Sequence, residues 1–135
     1  MFSFMWKSRY SVGVKELDEQ HQTIMKGLNE LHEGMMCGKL SEAAAPLISN
    51  LVSLAAEHFV TEERLMESTQ FPGLADRRAK HQTLSNKVQE FIARQELGDV
   101  AAYSQFMYFL REWITRHMEN EDQDYTQWLA EHGIR

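Results

Sequence analysis

Apolar side chains recur at three- and four-residue intervals along four separate stretches of this chain, and no stretch alternates with a period of two. A chain patterned this way buries its apolar stripes by packing helix against helix. Residues 1–16 read as an extended arm anchored by Trp6, Tyr10 and Val12, with a turn at Gly13. The first helix is expected to start near Asp18, an acceptable N-cap, and to run through Ile24, Met25, Leu28, Leu31 and Met35 to a stop at Gly38. Ser41 is the candidate cap of a second helix carrying Leu47, Leu51, Leu54, Ala55, Leu65 and Met66, in which Pro46 fits only in the first turn or so. Phe71-Pro72-Gly73 breaks that helix. The third stripe is the cleanest: Leu74, Arg77, His81, Leu84, Val88, Phe91 and Ile92. Gly98 and Asp99 end it and cap a fourth helix, which runs through Tyr103, Phe106, Leu110, Trp113 and Ile114 and on to Trp128. Four helices with short connections predict an all-α fold, an antiparallel up-down-up-down four-helix bundle with an extended N-terminal arm, in one domain spanning 1–135.

Four of the six histidines lie on these inward stripes, one per helix: His21, His58, His81 and His117. Taken singly, each reads as a core histidine bonded to a carbonyl. Their depths read differently. The start of helix one, the end of helix two, the start of helix three and the end of helix four share one end of an up-down bundle, so the four imidazoles meet at one level. Glu62 follows His58 by four residues and projects from the same face one turn on. Ionisable groups are seldom buried without a partner, and imidazoles with a carboxylate suit iron, zinc or manganese. His32 is about 16 Å deeper than His21 by helix rise and reads as a core or edge residue. His132 belongs to the polar tail. Glu63 is expected to point away from the stripe into solvent. Met25, Met35, Met66, Met107 and Met118 read as packing residues, and Trp113, one turn before His117, as an apolar wall over the site.

A formal charge of −6 argues against a nucleic-acid partner or an anionic membrane surface. The single cysteine, Cys37, forms no internal disulfide and reads as a free thiol near a loop. No stretch approaches the ~20 apolar residues that span a bilayer, and Met1-Phe2-Ser3-Phe4-Met5-Trp6 lacks a cleavage signature, so the expected location is the cytoplasm.

The matching pieces, taken together, carry a resemblance: Ser11-Val12-Gly13-Val14 before Leu17-Asp18-Glu19-Gln20-His21, then His58-Phe59-Val60-Thr61-Glu62-Glu63 with Met66, Phe71-Pro72 ahead of Lys80-His81, and Trp113-Ile114 before His117 and Asp122. This pattern resembles the hemerythrins, in particular the single-domain bacterial hemerythrins, across essentially the whole chain. The resemblance implies a non-haem, carboxylate-bridged pair of iron ions that binds O2 reversibly. It implies His21 and His58 on one iron, His81 and His117 on the other, and Glu62 and Asp122 as bridges. Periodicity alone picks Glu121, one turn after His117; a locally widened π turn would bring Asp122 round instead.

One departure stands out. The family's third helix carries two histidines one turn apart, and four residues before His81 this chain has Arg77. Arginine stays protonated and coordinates no metal, and the neighbouring Asp76 faces another direction. Arg77 is expected to reach out to the bundle end or to pair with an acidic group near the mouth. The leading expectation is a di-iron protein that binds O2, or another small diatomic or peroxide ligand, for storage, transfer or sensing. The alternatives are an altered centre with peroxidase- or oxidase-like activity, and a helical binding module whose buried histidines are hydrogen-bonded and metal-free.

Overall fold

The protein is described as a computed structural model covering residues 5–36, 40–96, 101–117 and 123–135. A short 3-10 turn, Ser8–Tyr10, precedes five helices: α1 Lys15–Met36, α2 Leu40–Ser68, α3 Leu74–Glu96, α4 Ala101–Arg116 and α5 Gln123–Glu131. No strand occurs among the described residues. α1 packs on α2 and α4, and α3 packs on α2 and α4, so the four long helices close into a ring. This is the helical bundle that the periodicity predicts. None of the described helices is long and apolar enough to cross a membrane.

Helix ends differ from the sequence expectation for local reasons. α1 begins at Lys15, not Asp18. Asp18 instead reaches back from the first turn, where its Oδ1 accepts from the Val12 N–H at 2.8 Å and its Oδ2 from the Ser11 hydroxyl at 2.6 Å. Gly13 makes the bend between them at a positive φ of 74°. The carboxylate thus staples the arm, and Val12 and Val14 are buried behind it. Pro46 lies in the second turn of α2, further in than expected; this close to the helix start, its missing N–H removes only one intrahelical bond. After α2, Gln70 takes a left-handed conformation (φ 58°) and the Phe71 N–H reaches back to the Met66 carbonyl at 2.9 Å, closing the helix as glycine normally does. Of the expected fourth helix the structure describes two parts: α4, which passes into a π turn at His117, and α5, which carries Tyr125 and Leu129 inward. The stop and cap assigned to Gly38, Gly98 and Asp99, and Cys37, fall outside the described residues, and the cap position Ser41 lies inside α2, one residue past its start at Leu40.

Two apolar clusters fill the interior. The larger runs along the bundle from Ile24, Leu28 and Leu31 to Phe91, Phe106 and Ile114. The smaller caps one end with Val12, Val14, Leu17, Leu65, Met66, Tyr125 and Leu129. Each fully buried Leu or Met contributes roughly 1.5–3 kcal/mol. Met25, Met66 and Met107 are core packing residues, as expected. Between the two clusters every long helix contributes a polar residue: His21 lies between Leu17 and Ile24, His58 and Glu62 lie before Leu65, Arg77 and His81 lie between Leu74 and Leu84, and His117 follows Ile114. The fold thus seals one polar layer between two apolar ones.

Candidate metal centre

All the polar side chains in that layer are buried, and His21, His58 and Glu62 are fully so. The His58 Nε2 lies 3.0 Å from the Nε2 of His21 and 3.0 Å from that of His117. The candidate ligand atoms of these three residues fall within 4.8 Å of one another. His81 joins through Glu62: its Nε2 is 3.1 Å from Glu62 Oε2, while Glu62 Oε1 is 3.1 Å from the His117 Nε2. His58 Nε2 lies 3.5 Å from Glu62 Oε2. Tyr125 of α5 donates its phenol hydrogen to Glu62 Oε1. The depth argument from the sequence holds: the four expected histidines and Glu62 share one level.

The far sides of two rings show which nitrogen carries the proton. Thr61 spends its hydroxyl hydrogen on the Glu57 carbonyl at 3.1 Å and accepts from the Gln20 amide nitrogen at 2.8 Å. The Gln20 carbonyl therefore faces His58 Nδ1 at 3.0 Å and takes its hydrogen. A neutral His58 then presents a lone pair at Nε2, pointing inward. His81 donates from Nδ1 to Glu63 Oε2 at 3.0 Å, and its Nε2 likewise faces Glu62 Oε2, at 3.1 Å but without hydrogen-bond alignment. Glu63, which its helix face assigns to solvent, is only partly exposed; its side chain swings to α3 and also accepts from Arg78 Nε at 3.0 Å.

Electrostatics match this picture. Burial holds the His21 imidazole at about 2, far below its usual 6.5, with the His58 and His117 rings adding to the effect. Burial likewise lowers His58 to about 4, partly offset by Glu62. Burial alone would raise Glu62, but the His117 and His58 rings beside it hold it well below the usual carboxylate range. His21 and His58 are thus neutral beside an ionised Glu62, and imidazole with carboxylate is the donor set of a divalent or trivalent cation. The lone pair of His58 can accept one N–H, yet two imidazole nitrogens crowd it at 3.0 Å; a cation accepts several lone pairs at once. The residues fit a metal.

Aromatic rings wall the layer on the bundle side. Trp113 stacks on His117 at 4.7 Å and 17°, the wall expected of it, and Phe59 stacks on His81 at 4.0 Å and 11°. Behind them lies an apolar cavity of about 70 Å³, lined by Ile24, Phe59, Leu84, Trp113 and Ile114 among others. Arg77 does not reach out to the bundle end. It is buried, with its guanidinium carbon 5.1 Å from the centre of the Tyr125 ring, a member of the end cluster. Asp122 and its alternative Glu121 lie outside the described residues. His32 is half-buried and outside the cluster, and His132 is exposed against Trp128.

Sequence reasoning missed Gln20, Thr61, Tyr125 and the role of Glu63. Tyr125 carried a signal, since it sits four residues before Leu129 on a short apolar stripe. The other three lie beside the stripe and reach across to another helix, which helical periodicity does not show.

Comparison with known proteins places the chain in a family. The family model described as "Hemerythrin HHE cation binding domain" matches residues 12–129. A bacteriohemerythrin of Stenotrophomonas maltophilia (strain R551-3) is 26% identical over 132 residues, which cover 98% of this chain and 85% of the relative. A myohemerythrin of Riftia pachyptila is 26% identical, with 90% of each chain covered. Among solved structures, the crystal structure of a wild-type hemerythrin superposes with a TM-score of 0.83 at 25% identity, covering 93% of this chain and 96% of that one. With the family model matching from the arm to α5 and relatives aligned over most of their length, the chain belongs to the hemerythrin family.

Proposed function

We propose that this chain is a non-haem di-iron protein that binds O2, for storage, transfer or sensing. His21 and His58 would hold one iron and His81 and His117 the other, with Glu62 and Asp122 as bridges. The observation that carries this reading is the buried layer itself: imidazole nitrogens converge on one ionised carboxylate, and two of them are set by outer hydrogen bonds to present lone pairs. Iron supplies the redox chemistry for O2 when bound. The chain supplies the ligands, the stacked Trp113 and Phe59 that exclude water, and an apolar cavity suited to a small gas. Reconstitution with ferrous iron under anaerobic conditions, followed by air and then by removal of oxygen, tests it. A visible adduct that forms and reverses supports O2 binding; no adduct, or an irreversible one, removes it.

One observation favours a second reading. Arg77, buried one turn from His81, provides no ligand where the family carries a histidine. A less protected iron would admit peroxide and turn it over. Sustained peroxide consumption with a reducing co-substrate, well above that of free iron, selects this reading over reversible carriage.

A further inference from the structure

The two histidines on α2 and α3 are held from behind by groups of different charge. Behind His58 stands a neutral relay: His58 Nδ1 donates to Gln20 Oε1 at 3.0 Å, Gln20 Nε2 to Thr61 Oγ1 at 2.8 Å, and Thr61 to the Glu57 carbonyl at 3.1 Å. Behind His81 stands an ionic one: His81 Nδ1 donates to Glu63 Oε2 at 3.0 Å, and Arg78 fixes the other oxygen of Glu63 at 3.0 Å while its Nη2 reaches Glu67 at 3.4 Å. Phe59, stacked on His81 at 11°, sets the ring plane as well.

We infer that Gln20 and Glu63 are positioning residues that make the two halves of the centre unequal, one histidine backed by an amide and the other by a carboxylate. This rests on the metal-binding reading above. An imidazole whose N–H is bonded to a carboxylate is a stronger donor than one bonded to an amide, because the negative charge polarises the ring toward its free nitrogen. The metal position at His81 is therefore the better supplied with electron density. It is also the position beside Arg77, which supplies no ligand. Glu63 strengthens the histidine that remains there.

Two measurements test this. In the metal-free protein, ring-nitrogen NMR at mildly alkaline pH is expected to place the proton on Nδ1 of both His58 and His81. Glu63→Ala should shift the His81 proton distribution alone, and Gln20→Ala that of His58 alone, whereas Glu63→Gln should keep His81 on Nδ1 by preserving the hydrogen bond. In an anaerobic cobalt(II) titration followed by visible absorption, Glu63→Gln should weaken one of two uptake steps by about tenfold and leave the other unchanged. Gln20→Ala should weaken the opposite step. A parent protein with the proton on Nε2 of either ring would overturn the inference. So would Glu63→Gln binding cobalt as the parent does, or variants that weaken both steps alike together with the metal-free fold. If the ring protons respond as stated but the parent takes up fewer than two cobalt ions, the positioning stands and the dinuclear reading falls.

Discussion

The guanidinium of Arg77 lies 5.1 Å from the centre of the Tyr125 ring, and the hydroxyl of that same ring donates to Glu62. One ring thus touches both a permanent cation and the carboxylate at the middle of the histidine layer. Replacing Arg77 by a potential ligand tests whether its effect is to withhold coordination. Arg77→His is expected to tighten iron retention by about tenfold, or about 1.4 kcal/mol, and to slow conversion to the ferric form. Chelator competition and the rate of ferric absorbance growth measure both. Unchanged values mean that another side chain already fills the position.

Tyr125→Phe removes the phenol hydrogen that the fully buried Glu62 carboxylate accepts. A hydrogen bond to a charged group contributes about 1.5–3 kcal/mol, so the metal-free variant should lose stability of that order in a denaturant titration. A loss below about 0.5 kcal/mol would mean that Glu62 is satisfied without Tyr125.

Acid should unfold the metal-free protein earlier than its composition alone implies. Unfolded histidine takes up a proton near 6.5, whereas folded His58 refuses one until about 4 and His21 until about 2. The unfolded state therefore binds more protons through this window, and stability falls as pH drops from 6.5 toward 4, and further for His21. His58 alone accounts for about 3 kcal/mol, at about 1.4 kcal/mol per unit. Glu62, depressed by its histidine neighbours, adds stability in the same direction, present above its unfolded value and lost as it protonates. Urea midpoints at about pH 5 should lie well below those at pH 7. Midpoints that do not change across that range contradict the buried neutral histidines.

Much of this centre was legible in the sequence because helical periodicity and antiparallel connectivity together fix depth. Once four helices alternate in direction, His21, His58, His81 and His117 have to meet. Helix termini were less legible because they depend on single hydrogen bonds: Asp18 stands inside α1 and staples the arm from there. Helical periodicity assigns Glu63 to solvent because its Cβ leaves the stripe, but a glutamate side chain is long enough to reach His81 on the next helix. For Arg77 the sequence leaves two outcomes, reaching the bundle end or pairing with an acidic group near the mouth; the structure buries it and sets its guanidinium over the Tyr125 ring of another helix. Contacts of this kind are made between helices, and no single helix's pattern encodes them.

Iron stoichiometry tests the account most directly. Anaerobic titration with ferrous iron, followed by desalting and metal analysis, is expected to give two irons per chain in the parent. His58→Ala should give one, with the metal-free helical fold preserved by circular dichroism and the metal-dependent rise in melting temperature reduced. A parent that retains no iron, or a His58→Ala variant that retains as much as the parent, would contradict a di-iron centre built on these histidines.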